Sequence, residues 1–349
     1  MLNTKAYAAR TAASALEPFQ IDRRAPGPFD VLIDIMHCGI CHTDIHAARG
    51  HFPNSIFPLV PGHEIIGAVS QAGDSVTKHR PGDVVGVGCM VDSCGACTEC
   101  RSGEEQFCLL GMTATYNARE RNGQTPTYGG YSARITVNEN FVLRVPGALS
   151  PAAAAPLLCA GITTYSPLRH WEVEPGMRVG VIGLGGLGHM AVKLAAAMGA
   201  EVTVFSTSEH KRSDAARLGA ENFSLTSAGD AFSRLAGRFD LIINTASATV
   251  DYDAYVRLLK RDGSLVILGV PDGPVTINAI GLIMTRTRIA GSLIGGIRET
   301  QEMLDFCAEH RIVSDIEPIP IEEINVAYER MLKGDVRYRF VIDMSSLRG

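Results

Sequence analysis

The stretch VGVIGLGGLGHMAVKLAAAMG, residues 179–199, decides the fold of this chain. VGVI is a continuous apolar run of strand character, and HMAVKLAAAM (189–198) has helical composition. Between them Gly183, Gly185 and Gly188 stand in GxGxxG spacing, and a second apolar run, EVTVFS (201–206), follows at the distance a βαβ unit requires. The spacing alone is a weak signal. Strand, glycine turn, helix and strand in that order make it a strong dinucleotide-binding fingerprint. Gly183 permits the tight turn, Gly185 lets the backbone approach a pyrophosphate, and Gly188 allows close packing of helix on sheet. With Gly186 and Leu187 between them, the loop opens into a helix N-terminus whose N–H groups face the phosphates.

Working outward, apolar strands and helices keep alternating: a helix near 209–218, DLIINTA (240–246), a helix near 251–260, and GSLVILGV (263–270). Such runs with helical crossovers predict a doubly wound parallel sheet covered on both faces, an α/β Rossmann fold. Upstream the texture differs. DVLIDIMHCG (30–39), HEIIGAVSQAG (63–73), GDVVGVG (82–88) and FVLRVP (141–146) are short strands punctuated by Gly and Pro, as in an irregular, mainly β domain. An alanine-rich segment of helical composition, PAAAAPLLCAGITTYSPL (151–168), joins the two regions. Beyond RIAGSLIGG (288–296) come a charged helix, ETQEMLDFCAEH (299–310), and a strand-like tail, DVRYRFVID (335–343), which is expected to rejoin the first domain. The boundaries expected are 1–154 with 296–349 for the first domain and 155–295 for the second.

The chain of 349 residues is long enough for two cores, and its 46% hydrophobic and 20% charged residues mark it as globular. A net charge of −5 argues against a nucleic-acid partner. No stretch approaches the roughly 20 apolar residues of a membrane span. MLNTKAYAARTAAS (1–14) has no apolar signal core, so the expected address is cytoplasmic.

Nine cysteines in a reducing compartment read first as metal ligands rather than disulfides. Cys94, Cys97, Cys100 and Cys108 form C-x2-C-x2-C-x7-C, matching a closed tetrahedral zinc site. An iron–sulfur cluster could use similar spacing, but nothing else in the chain suggests electron transfer. A second group is dispersed: Cys41 in CGICHTD, His63 and Glu64 in PGHE, and Cys159 in LLCAG. If 41–46 is helical, Thr43 and His46 lie one turn apart on one face, and Cys41 lies near Asp44. Cys38, Cys89 and Cys307 read as small buried apolar residues without a role.

NAD-preferring sites place an acid at the tip of the second strand, on the ribose 2′-hydroxyl. Here the tip reads Ser206, Thr207, Ser208, followed by Lys211 and Arg212. Hydroxyls with nearby cations suit a 2′-phosphate, so NADP(H) is the expected cofactor, with Glu209 as the counter-argument.

Taken together, GICHTDIH, VPGHE, the four-cysteine lobe, LLCAGITTY and GLGGLGHMAVKLA resemble the zinc-dependent medium-chain alcohol dehydrogenases. LLCAGITTYSPLRHW and GSLIGGIRETQEMLDFCAEH, with the RYRFVID ending, are similar to the cinnamyl alcohol dehydrogenase branch, including its bacterial broad-range aldehyde reductases. The resemblance runs nearly end to end. It implies a GroES-like catalytic domain built from both chain ends, a Rossmann domain, an active site in the cleft between them, and a homodimer. It also implies two zinc ions per chain. Cys41, His63 and Cys159 match the catalytic ligands, with Glu64 able to approach the metal. Asp44 matches the carboxylate that orients His63. Thr43 and His46 match a proton relay, Thr163 a nicotinamide contact, Met90 a substrate-pocket wall, and Arg339 a basic residue near the cofactor phosphates. His42, common in this branch, is not expected to bind metal. The reaction implied is hydride transfer between NADP(H) and a primary alcohol–aldehyde pair, chiefly aldehyde reduction. The rivals are a zinc polyol dehydrogenase, which often lacks the third cysteine ligand, and a zinc-stabilised nucleotide-binding regulator, which would need no relay.

Overall fold

The computed structural model describes every residue except Ala13, Asp272, Arg348 and Gly349. The chain forms two compact units, one of Met1–Ile162 with Gly295–Gly349, the other of Thr163–Ile294.

The second unit is a six-stranded sheet in the order Asn222–Leu225, Glu201–Ser206, Arg178–Ile182, Phe239–Asn244, Leu259–Ile267, Arg288–Gly291. Every neighbouring pair is parallel. The strand order reverses direction beside Arg178–Ile182, the strand that leads into the glycine loop, and this is where a doubly wound sheet opens a ligand crevice. Helix Gly188–Ala197 follows the loop. Its inner face buries Met190, Val192 and Leu194 completely. On the sheet, Phe205 meets Phe239 and Tyr255 edge-on, each at 5.4 Å between ring centroids, an arrangement worth about 1 kcal/mol per pair beyond area burial. Two expected helices are shorter than their patterns. The segment 209–218 resolves into a 3-10 turn, Glu209–Lys211, and helix Arg212–Leu218, closed by Gly219 at φ +109°. The helix near 251–260 spans only Tyr252–Val256, because the next strand already begins at Leu259.

The first unit is organised around strand Asp30–Gly39. The sheet runs Ile316–Pro320, Arg339–Asp343, Asp30–Gly39, Ile65–Ala72, Val84–Val87, Leu143–Arg144, and Arg134–Asn138 also pairs with Asp30–Gly39. The C-terminal strand Arg339–Asp343 therefore lies against the N-terminal sheet, with Val341 opposite Gly39 and Ile342 opposite Cys38. Ile33, Ile35, Ile65, Val87, Phe340 and Ile342 are fully buried along these strands. Two two-stranded antiparallel sheets complete the unit, Leu2–Ala9 with Leu16–Arg23 and Met90–Asp92 with Thr113–Ala114. The alanine-rich segment is interrupted: helix Pro151–Ala154 passes into a 3-10 turn, Ala155–Leu158, before helix Ala160–His170. Pro156 lacks the N–H that would continue the first helix, and Cys159 sits at the break with φ −130° and ψ −69°.

Candidate active site

Strand register assembles the site in the first unit. Cys38 is opposite Ile65, and the Gly39 N–H donates to the Glu64 carbonyl at 3.0 Å. The residues just past the end of one strand thus meet the residues just before the start of the next, which puts Cys41 beside His63 and Glu64. The third segment arrives by close approach. A Cβ at Gly88, just past strand Val84–Val87, would lie 3.0 Å from the Leu158 carbonyl, so the turn leading to Cys159 rests against backbone that glycine keeps bare. As a result the ligand atoms of Cys41, His63, Glu64 and Cys159 all lie within 4.8 Å of one another. The Cys41 and Cys159 sulfurs are 3.9 Å apart.

Cys41 also caps helix His42–Ala48. Asp44, at the third helical position, accepts the Cys41 N–H on Oδ2 at 2.8 Å, while its Oδ1 receives the Gly62 N–H at 3.1 Å and lies 3.2 Å from His63 Nδ1. One fully buried carboxylate therefore closes a helix cap and orients the His63 imidazole, leaving Nε2 free to meet a cation. On the exposed face of the helix the Thr43 hydroxyl lies 3.6 Å from the Cys41 sulfur. His46 Nδ1 is 3.0 Å from Nδ1 of His51, a neighbour that no spacing rule suggested.

Glu64 is completely buried and pairs with Arg339, whose Nη2 also donates to the Ile40 carbonyl at 2.8 Å. Burial raises the Glu64 carboxyl to about 7, against the pull of the Arg339 guanidinium. Its Oε2 has no hydrogen-bond partner among the described residues. A buried acceptor left unpaired beside two thiols and an imidazole is what a cation would satisfy. Arg339, expected beside the cofactor phosphates, lies in the first unit with Glu64 and the Ile40 carbonyl as its partners. Cys89, expected to be a buried bystander, is only part-buried, with its thiol 3.7 Å from the Leu158 carbonyl. Cys38 and Cys307 are fully buried, as expected. Met90 is buried within its strand, 3% exposed.

Cys94, Cys97, Cys100 and Cys108 form the second group within 4.8 Å. Backbone N–H groups point at the sulfurs: Cys97 to Cys94 at 3.3 Å, Cys94 to Cys108 at 3.4 Å and Cys100 to Cys97 at 3.5 Å. The N–H groups of Cys100 and Leu109 pull the Cys97 thiol down to about 6. A loop whose amides favour thiolates suits a closed tetrahedral zinc site. No disulfide joins cysteines among the described residues.

In the second unit Gly183 adopts φ +86°, and a Cβ on Gly188 would strike the Gly183 carbonyl at 2.2 Å. A Cβ on Gly185 would point into open space, the room a phosphate needs. Ser206 is buried, its Oγ accepting the Ser208 N–H at 3.1 Å, and Thr207 is exposed. Lys211 Nζ donates to the Leu184 carbonyl at 3.0 Å, which places it on the glycine loop. Arg212 forms a two-point pair with Glu209 and lies 4.6 Å over the Phe223 ring. Thr163, the first residue of this unit, is 9% exposed in helix Ala160–His170.

Comparison with known proteins agrees with both units. Residues 27–147 match the alcohol dehydrogenase GroES-like domain, and residues 186–309 match the zinc-binding dehydrogenase family. The chain is 57% identical to NADP-dependent alcohol dehydrogenase C 1 of Mycolicibacterium smegmatis over 100% of both chains. It is 53% identical to aldehyde reductase YahK of Escherichia coli over 99% of each. Among solved structures, a cinnamyl alcohol dehydrogenase from Sorghum bicolor superposes with TM-score 0.95 at 43% identity, over 99% of this chain and 98% of that one. A cinnamyl alcohol dehydrogenase from Helicobacter pylori, complexed with NADP(H), superposes with TM-score 0.92 at 42% identity, over 99% of each. The chain belongs to the zinc-dependent medium-chain alcohol dehydrogenases, in their cinnamyl alcohol dehydrogenase branch.

Proposed function

We propose that this enzyme reduces a broad range of aromatic and aliphatic aldehydes to primary alcohols with NADPH, using one catalytic and one structural zinc ion. The observation that carries the reading is the convergence of Cys41, His63 and Cys159, from three distant segments, with a carboxylate already set behind His63. Zinc supplies Lewis acidity to the substrate oxygen, and the nicotinamide supplies the hydride. Everything else falls to the chain. Cys41, His63 and Cys159 hold the catalytic metal, Glu64 stands within reach of it, and Asp44 orients His63. Thr43 gives its hydroxyl proton to the substrate oxygen during reduction, and His46 restores that proton from solvent. The four cysteines of the lobe hold the second zinc.

Gly183, Gly185, Gly186, Leu187 and Gly188 cradle the pyrophosphate, and Thr163 lines the nicotinamide. Ser206, Thr207, Ser208, Lys211 and Arg212 receive the 2′-phosphate. Support for NADPH comes from the strand tip, which carries no acid, and from Glu209, whose carboxylate is already taken by Arg212. A homodimer is supported by the outer edge strand Arg288–Gly291 and the helix that precedes it in the chain, Ala279–Thr285. None of that helix is buried, and Ile283 and Met284 are 71% and 77% exposed. No helix among the described residues is long and apolar enough to cross a membrane, and a reducing cytoplasm would keep the zinc-binding thiols intact.

A panel of aromatic, short aliphatic and branched aldehydes with NADPH tests the reading. Comparable turnover across the panel is expected. Turnover confined to polyols would overturn it.

A further inference from the structure

We propose that the Tyr131 hydroxyl is a positioning group for two metal ligands, Cys41 and His63, acting through Asp44. This rests on the reading that Cys41, His63 and Cys159 hold a metal.

Asp44 is 0% exposed, and a buried carboxylate is tolerable only when donors fill its lone pairs. It has four. Three come from the ligand segments themselves: the N–H of Cys41 on Oδ2, and the N–H of Gly62 and Nδ1 of His63 on Oδ1. The fourth is the Tyr131 hydroxyl, which donates to Oδ2 at 3.2 Å from a segment 87 residues further along the chain.

That hydroxyl is held in place. The Tyr131 N–H donates to the Pro61 carbonyl at 3.0 Å, and the Tyr131 carbonyl accepts from the Tyr7 N–H at 2.8 Å. The two residues before it dock on the same loop, Gly129 N–H to the Val60 carbonyl and Gly130 N–H to the Gly62 carbonyl, both at 2.8 Å. This approach tolerates no side chain, because a Cβ at Gly129 would lie 2.2 Å from the Pro61 carbonyl. The Tyr131 ring is fully buried. Its donor is therefore pre-set against the loop that leads into His63, and it reaches Asp44 from there.

The consequence follows from the two oxygens. Oδ2 ties Cys41 and Oδ1 ties His63, so the rotation of one carboxylate sets both ligands. With Tyr131 donating, that rotation is fixed and the His63 Nδ1–H stays directed at Oδ1. Without it, the one N–H left on Oδ2 among the described residues is that of Cys41, and a buried, under-satisfied carboxylate can turn away from the imidazole.

The test uses Tyr131→Phe, which keeps the ring and removes the donor. Zinc loss to a chelator is followed for both sites in the full-length protein, and the visible spectrum of the cobalt-substituted catalytic site is recorded. Changes to groups behind metal ligands typically alter affinity about 10–100-fold. Release from the three-ligand site should therefore be at least about tenfold faster, with a shifted cobalt spectrum, while the four-cysteine site releases at the wild-type rate. In an Asp44→Asn background the same substitution should add nothing. Wild-type release and spectrum in folded Tyr131→Phe, equal acceleration at both sites, or additive losses with Asp44→Asn would each overturn the proposal alone. A wild-type protein that binds metal only at the four cysteines would overturn the metal centre and the proposal together.

Discussion

The Lys211 ammonium donates to the Leu184 carbonyl at 3.0 Å, so a cation expected to read the 2′-phosphate is tethered to the glycine loop itself. Replacing Lys211 and Arg212 together with alanine should lower kcat/KM for NADPH at least about tenfold, a change of about 1.4 kcal/mol. The loss with NADH should be much smaller. Steady-state kinetics with both cofactors decide the matter: equal losses would assign Lys211 to holding the loop, and the phosphate-reading role would be withdrawn.

Metal content separates the two cysteine groups. Elemental analysis should find two zinc ions per chain. Cys41→Ser should abolish turnover while the protein stays folded, because only the three-ligand site is damaged. Cys97→Ser should lower the yield of folded protein, since a structural metal contributes to folding directly. Near-wild-type activity in Cys41→Ser would remove the catalytic assignment.

Helix His42–Ala48 carries Thr43 and His46, the two groups of the proposed proton relay. Thr43→Val preserves shape and deletes the hydroxyl, and turnover should fall about a hundredfold or more, the usual scale of acid–base assistance. His46→Gln should cost less, because solvent and the adjacent His51 can take over the outer end of the path. Unimpaired turnover in a Thr43→Val enzyme with intact zinc and cofactor binding would show that protons leave by another route.

Gly39 makes room for Glu64. A Cβ there would fall 1.9 Å from the Glu64 carboxylate, and 3.0 Å from its own Cβ. Gly39→Ala should destabilise the protein by about 1–3 kcal/mol, the usual cost of overfilling a packed site. Thermal unfolding should show a lowered midpoint, with accelerated loss of the catalytic metal. An unchanged midpoint would mean that Glu64 swings aside freely.

The parallel strands were legible in the sequence because burial on both faces leaves continuous apolar runs, as in VGVI and DLIIN. The residues of both clusters were legible through local motifs, one as a single four-cysteine run and the other as three motifs of one or two donors each. Contacts set by register left no such trace. Nothing near Tyr131 in the sequence points to Asp44, and nothing near Arg339 points to Glu64, since both meetings depend on which strands lie side by side. Helix lengths were overread for a related reason. Composition does not reveal that Pro156 breaks the alanine-rich segment, or that the strand beginning at Leu259 truncates the helix before it. His51 escaped notice because it lies past the end of the helix that carries His46, where helical spacing no longer applies.

The strand Arg339–Asp343 lies between Ile316–Pro320 and Asp30–Gly39, and this has a consequence for biosynthesis. During translation, the stretch Thr163–Ile294 emerges unbroken and can close its own sheet while the ribosome is still working. The first unit cannot. Its strand Asp30–Gly39 can pair early with Ile65–Ala72 and Arg134–Asn138, but the edge at 37–39 waits until Arg339–Asp343 has been made, and Arg339 reaches Glu64 only then. A premature stop shortly before position 339 would therefore spare the nucleotide-binding unit and strand the zinc-binding one, leaving a nascent chain with an exposed strand edge that chaperones must shield or proteases remove.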